Sequence, residues 1–191
     1  MDGPRRAPVN NLIPTGLGSG NNPDKDAAQW EAVEEATELL QELHYPEALL
    51  ALRDVIKADP NNAYAYHYLG LAFFEIKNLE GARDAYRAAV RLAPEYLGAR
   101  VALSHTLRML GDTDGALAQA KEALRRFPKD GEALHAAGMA NAAKGNRKEA
   151  KRQLEGYLGQ NPEFESQQEV RGILEMLGLG DEGEPLELEG E

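Results

Sequence analysis

DVIKADPNNAYAYHYLG, residues 54–70, sets Pro60 between two segments of helical character. Pro94, Pro128 and Pro162 follow it at intervals of 34 residues each. Proline lacks an N–H and restricts the residue before it, so each of these positions stops one helix before the next begins. A stop recurring at a constant interval marks a repeated unit. Ala48, Ala82, Ala116 and Ala150 keep the same 34-residue phase, and the small residues Ala36, Gly70, Ser104 and Gly138 form a third series.

Within the unit, Tyr66, Leu69, Gly70 and Phe73 lie at i, i+3, i+4 and i+7, one face of a helix. Ala82, Tyr86 and Ala89 mark the apolar face of a second helix, which ends before Pro94. Small residues at Gly70 and Ala82 let the two helices approach closely, while Leu69 and Tyr86 fill the space beside the crossing. Lys77-Asn78, Gly111-Asp112 and Gly145-Asn146 supply turn chemistry between the helices, with His44 in that slot of the first copy. One such pair cannot bury its own apolar face, so about three or more must stack; four are present.

The series Tyr66, Leu69, Gly70, Phe73, Ala82, Tyr86, Ala89 and Pro94 resembles the tetratricopeptide repeat, and the resemblance extends over residues 29–162. It implies an all-α, right-handed solenoid of four helix pairs at about 29–62, 63–96, 97–130 and 131–162, within a repeat domain spanning 27–162. Where the best copy has Tyr66 and Phe73, the first has Ala32 and Leu39, the third Arg100 and Leu107, and the fourth Leu134 and Asn141. The following segment, 163–179, reads as a capping helix. Its Val170, Ile173, Leu174 and Leu177 form an apolar face, and Glu165, Gln168, Arg171 and Glu175 are placed for water.

Residues 1–26 contain four prolines and no helical period, as expected of a disordered tail. Within it VNNLIPTGL, residues 9–17, groups Val9, Leu12, Ile13 and Leu17. Two readings stay open: a linker with incidental apolar residues, or a docking segment for another protein or for this protein's own groove. Residues 180–191 form an acidic tail, either solvating or folded back on the cations of the third and fourth repeats, such as Arg125, Arg126, Arg147 and Lys148.

The formal net charge of -11 argues against nucleic acid as a ligand, because phosphate binding requires concentrated basic surface. No apolar run approaches a secretory signal or a membrane span, and there are no cysteines. A cytoplasmic protein without membrane insertion is expected. A glycine-rich phosphate loop with its lysine, HExxH, GxSxG and a thiol are all missing, so no catalytic residue, metal or cofactor is assigned.

The family resemblance implies a concave groove lined by the first helix of each pair, which receives a peptide or helix of a partner protein. Carried onto this chain, that groove presents Trp30, Val33 and Thr37, then Tyr64, His67, Tyr68 and Leu71. Val101, His105 and Arg108 follow, and then His135 and Met139. The carboxylate clamp of chaperone-tail adaptors needs lysine, asparagine and arginine, but the corresponding slots here hold Val33, Thr37, Tyr68, Gly98 and Ala102. The groove therefore suits an apolar segment, with Tyr64, Tyr68 and Trp30 as anchors. The leading expectation is a non-catalytic adaptor or scaffold; the alternative is a chaperone for a secreted or membrane-directed client. A monomer is expected, with self-contact through the tails or head-to-tail repeats as a further reading. The first repeat carries eight acids and two bases, and the third carries four acids and six bases.

Overall fold

A computed structural model describes residues 23–178. Among them are ten α-helices and no strand. Helices α1 (Pro23–Glu31) and α2 (Glu34–Gln41) precede α3 (Tyr45–Ala58); α4 (Ala63–Glu75) pairs with α5 (Leu79–Leu92), and α6 (Leu97–Met109) with α7 (Thr113–Arg126). Helices α8 (Gly131–Lys144), α9 (Arg147–Leu158) and α10 (Phe164–Met176) complete the array. The segments VNNLIPTGL and 180–191 lie outside the described residues.

The turn inside each pair has one geometry, repeated four times. Leu43, Lys77, Gly111 and Gly145 adopt left-handed φ of 64°, 66°, 81° and 79°. The next amide donates to the carbonyl five residues back: His44 to Leu39, Asn78 to Phe73, Asp112 to Leu107 and Asn146 to Asn141, at 2.8–2.9 Å. This Schellman closure satisfies carbonyls that a helix end would otherwise leave open. Glycine adopts it freely, whereas an L side chain is disfavoured there by about 1–2 kcal/mol. Leu43 is 64% exposed and packs little. Leu43→Gly is therefore expected to stabilise the array by up to about 1 kcal/mol, part of the relief being offset by glycine's greater freedom when unfolded. A urea titration that shows a lower midpoint for the variant would refute this.

Helix crossings use a complementary exchange of size. Gly70 stands opposite Tyr86 and Gly138 opposite Leu154; the equivalent positions, 16 residues apart, are Ala36 with Leu52 and Ser104 with Ala120. A Cβ on Gly70 would come within 2.6 Å of the Tyr86 ring, and one on Gly138 within 2.5 Å of Leu154. Ser104 instead donates its hydroxyl to the Ala116 carbonyl at 2.9 Å.

The two polar residues at bulky slots are buried with partners. Arg100, 7% exposed, donates to Gln119 at 3.0 Å and to the Pro94 carbonyl at 2.8 Å. Asn141, 2% exposed, donates to the Ala137 carbonyl and to Gln153, and its oxygen accepts from Asn146 at 2.9 Å. Each satisfied group avoids the penalty of an unpaired buried dipole.

Two features differ from the sequence expectation. Helix α1 starts at Pro23, inside the segment 1–26 read as disordered. Proline is favoured in a first helical turn, and Asp24 and Asp26 suit its positive end. The first helix of the first repeat is also divided: the Val33 amide bonds the Trp30 carbonyl only three residues back, at 3.0 Å. That tightened turn carries Val33 into the core at 0% exposure.

From α2 onward, consecutive helices pack against one another along the chain. In addition α1 and α2 approach α4, and α6 approaches α8, whereas α4–α6, α3–α5, α5–α7 and α7–α9 show no comparable backbone approach; α4 and α6 meet through side chains, Phe74 against His105 and His67 against Tyr96. The first helices, α2, α4, α6 and α8, thereby share one face, which is called the inner face below. At the far end α10 packs on α9 and buries Val170 and Leu174.

Candidate functional site

The inner face is built by α2, α4, α6 and α8, and its two ends differ in access. Toward the N-terminal end, the residues expected to anchor a ligand are already covered. Val33, Tyr64, His67 and Tyr68 are 0%, 3%, 6% and 5% exposed. The reason is an aromatic cluster that the chain closes on itself. The Trp30 ring meets Tyr64 edge-on at 5.4 Å and Tyr68 at 6.0 Å, and Tyr64 meets Tyr96 at 5.8 Å. The Tyr64 hydroxyl lies 3.2 Å from both Asp26 oxygens. Tyr64 and Tyr68 therefore act as core residues of the free protein, and only half-buried Trp30 and Thr37 remain at the surface of this part.

Asn62 latches α1 in place. At 0% exposure its oxygen caps α4 by accepting from the Ala65 amide at 3.0 Å, and its Nδ2 donates to the Gln29 carbonyl at 2.8 Å. The Gln29 side chain donates in turn to Asp59 at 2.6 Å. One cap residue thereby joins the α3–α4 turn to α1.

His67 sits within the cluster, its ring 5.1 Å from Tyr68, 5.6 Å from Tyr86 and 4.8 Å from Tyr96. Its Nδ1 is buried without a hydrogen-bond partner among the described residues. Burial lowers its pKa to about 4 and raises that of Tyr68 to about 12, so both are neutral near pH 7.

The other end of the face is open. Leu71 and Phe74 on α4, and Val101 and Arg108 on α6, are half-buried; His105 is exposed, and Met109 is 45% exposed. The His105 ring packs edge-on to Phe74 at 5.3 Å, and the Lys77 ammonium stands 5.6 Å from the centre of that same ring. His135 is half-buried against Tyr157 at 4.8 Å, while Met139 is core at 8% exposure. Partial desolvation of the rings, against Phe74 at the otherwise exposed His105 and against Tyr157 at His135, lowers both pKa values; Arg108 acts in the same direction and Glu169 on α10 opposes it. The unprotonated imidazole is thereby favoured at both positions, and the buried His135 Nε2 has no hydrogen-bond partner among the described residues. Among the described residues, no three His, Asp or Glu side chains converge as metal ligands.

The inner face thus contains Phe74 and Met109, which the sequence reading passed over. Their register signals them: Phe74 is three residues beyond Leu71, and Met109 four beyond His105.

Stacked antiparallel helix pairs with a shared inner face define a repeat scaffold of the kind that serves as a protein–protein interaction module. Tetratricopeptide repeat family models match residues 33–96 and 97–140. The chain belongs to the tetratricopeptide repeat family. It is 33% identical over 66 residues to the mouse (Mus musculus) Superkiller complex protein 3, covering 35% of this chain but only 4% of that relative's length. Among solved structures it resembles PilW, a widely conserved type IV pilus biogenesis factor, with a TM-score of 0.70 and 20% identity over 80% of this chain and 71% of the other. It also resembles YrrB, a tetratricopeptide protein with an unusual peptide-binding site, with a TM-score of 0.63 and 21% identity over 78% of each chain. At these identities the structures share the fold. No helix among the described residues is long and apolar enough to cross a membrane.

Proposed function

We propose that this protein is a cytoplasmic, non-catalytic adaptor or scaffold that takes a peptide or amphipathic helix of a partner protein on the open part of its inner face. The observation that carries this reading is the accessible apolar floor of Leu71, Phe74, Val101 and Met109, edged by His105 and Arg108. Such a floor offers pockets to alternate apolar side chains, while the edge supplies donors to a bound backbone. The peptide-binding site of YrrB supports a partner of the same general kind. Anchoring shifts from Tyr64 and Tyr68 to residues that a ligand can reach.

The test is affinity capture from native lysate with the full chain, Leu71→Glu and Val101→Glu, followed by direct affinity measurement for each protein identified. Leu50→Glu, at an exposed position of α3, serves as the control. Both inner-face variants, shown folded by circular dichroism, are expected to weaken binding at least about tenfold, equivalent to about 1.4 kcal/mol. Unchanged affinity for both would place binding elsewhere.

A further inference from the structure

We propose that the open part of the inner face is occupied in the free protein by this chain's own residues 9–17, VNNLIPTGL, lying over Leu71, Val101 and His105 in competition with a partner. This inference rests on the reading of that face as a binding site and names its internal competitor.

The path of the chain leads there. Helix α1 already occupies the neighbouring stretch of the same face, held by the contacts of Asp26 with Tyr64 and of Gln29 with Asn62. Toward the start of α1, Lys25 and Asp26 share a cavity of about 170 Å³ with Ala63, Leu92 and Ala93. Pro23, two residues before Lys25, therefore stands near the turn that leads from α5 into α6 at Leu97. Five residues separate Leu17 from Pro23, and the six Cα steps between them can span up to about 20 Å when extended. Helix α6, with 13 residues, is about 20 Å long. Nine extended residues reach about 30 Å, enough to follow α6 from its start past Val101 and His105.

The chemistry matches as well. Residues 9–17 carry no charge, and Val9, Leu12, Ile13 and Leu17 supply apolar groups for Leu71, Phe74 and Val101. An uncharged segment avoids placing an ion on an apolar floor. Asn10, Asn11 and Thr15 can hydrogen-bond to the imidazole of His105 and the guanidinium of Arg108. Tethering makes the contact intramolecular, so even a weak site fills at high effective concentration.

The absence of cysteine permits one nitroxide label on the full chain at Thr15→Cys, leaving the apolar residues intact. The expected result is loss of amide NMR intensity at Leu71, Val101 and His105, persisting on dilution, with Leu50 and Arg87 unaffected. Adding Leu12→Asp and Ile13→Asp is expected to restore the signals and increase partner capture. Absent or uniform broadening overturns the proposal, as does broadening that survives the two aspartates. Broadening lost on dilution assigns the contact to a second copy and overturns it equally. If the label leaves the face untouched while Leu71→Glu still loses the partner, only self-occupancy falls; if Leu71→Glu keeps the partner, the binding-face reading falls.

Discussion

Gly138→Ala is expected to lower the free energy of unfolding by about 2 kcal/mol, although alanine is the better helix former. The added Cβ would stand 2.5 Å from Leu154 Cδ2, 2.6 Å from Cγ and 3.3 Å from the Leu154 backbone nitrogen. Leu154 is 0% exposed, so its side chain cannot swing out into solvent, and the backbone contact requires α8 and α9 to move apart by a few tenths of an ångström. Overpacking of this kind is worth roughly 3 kcal/mol at the upper end of its usual range, and helix propensity returns about 1 kcal/mol. Urea unfolding measures the difference. Gly172→Ala is the control, because a Cβ there meets nothing within 4 Å, and that variant is expected to be neutral or stabilising. Combining Gly138→Ala with Leu154→Ala should lose less than the sum of the two single changes, since the second removes the obstacle to the first. A stabilised Gly138→Ala protein would contradict the close crossing.

The second large effect is acid sensitivity from His67. In the unfolded chain its imidazole titrates near 6.5; in the folded protein burial lowers that to about 4. The neutral form is therefore favoured by folding, and the associated stability is fully present above about pH 6.5. As pH falls below that value the unfolded state takes up a proton that the folded state does not, and stability declines until the folded group protonates near pH 4. The total loss is on the order of 3 kcal/mol. His67→Phe keeps an aromatic ring among Tyr68, Tyr86 and Tyr96 and removes the unpartnered Nδ1. The gap between variant and parent should widen in favour of the variant from pH 6.5 to 4. Parallel stability curves across that window would exclude a buried neutral His67. The lowered carboxyl pKa values of Asp54 and Asp84, each set chiefly by a hydrogen bond from Lys57 and Arg83 respectively, act at lower pH and are common to both proteins.

Much of the fold was legible because repetition multiplies weak local signals. Pro60, Pro94, Pro128 and Pro162 each suggest a helix end alone, but in one phase they define the unit. The polar intrusions were legible only as anomalies. Arg100 reaches the Pro94 carbonyl and Gln119, and Asn141 reaches Gln153 and Asn146; these partners follow from packing across helices.

The inner face was legible by register but not by access. Counting along α4 places Tyr64, His67, Tyr68 and Leu71 on that face, yet says nothing of what else reaches that space. Trp30 and Asp26 come from α1, which lacks a strong amphipathic pattern of its own, and they close the aromatic cluster over Tyr64 and Tyr68. The amino-acid sequence by itself therefore determined the helical repeat, its 34-residue period and the small residues at each crossing, because these depend on neighbours a few positions apart. Tertiary structure alone decided which aromatic residues became core and which part of the face stayed open. Burial is set by everything that converges on a side chain, including segments more than thirty residues away.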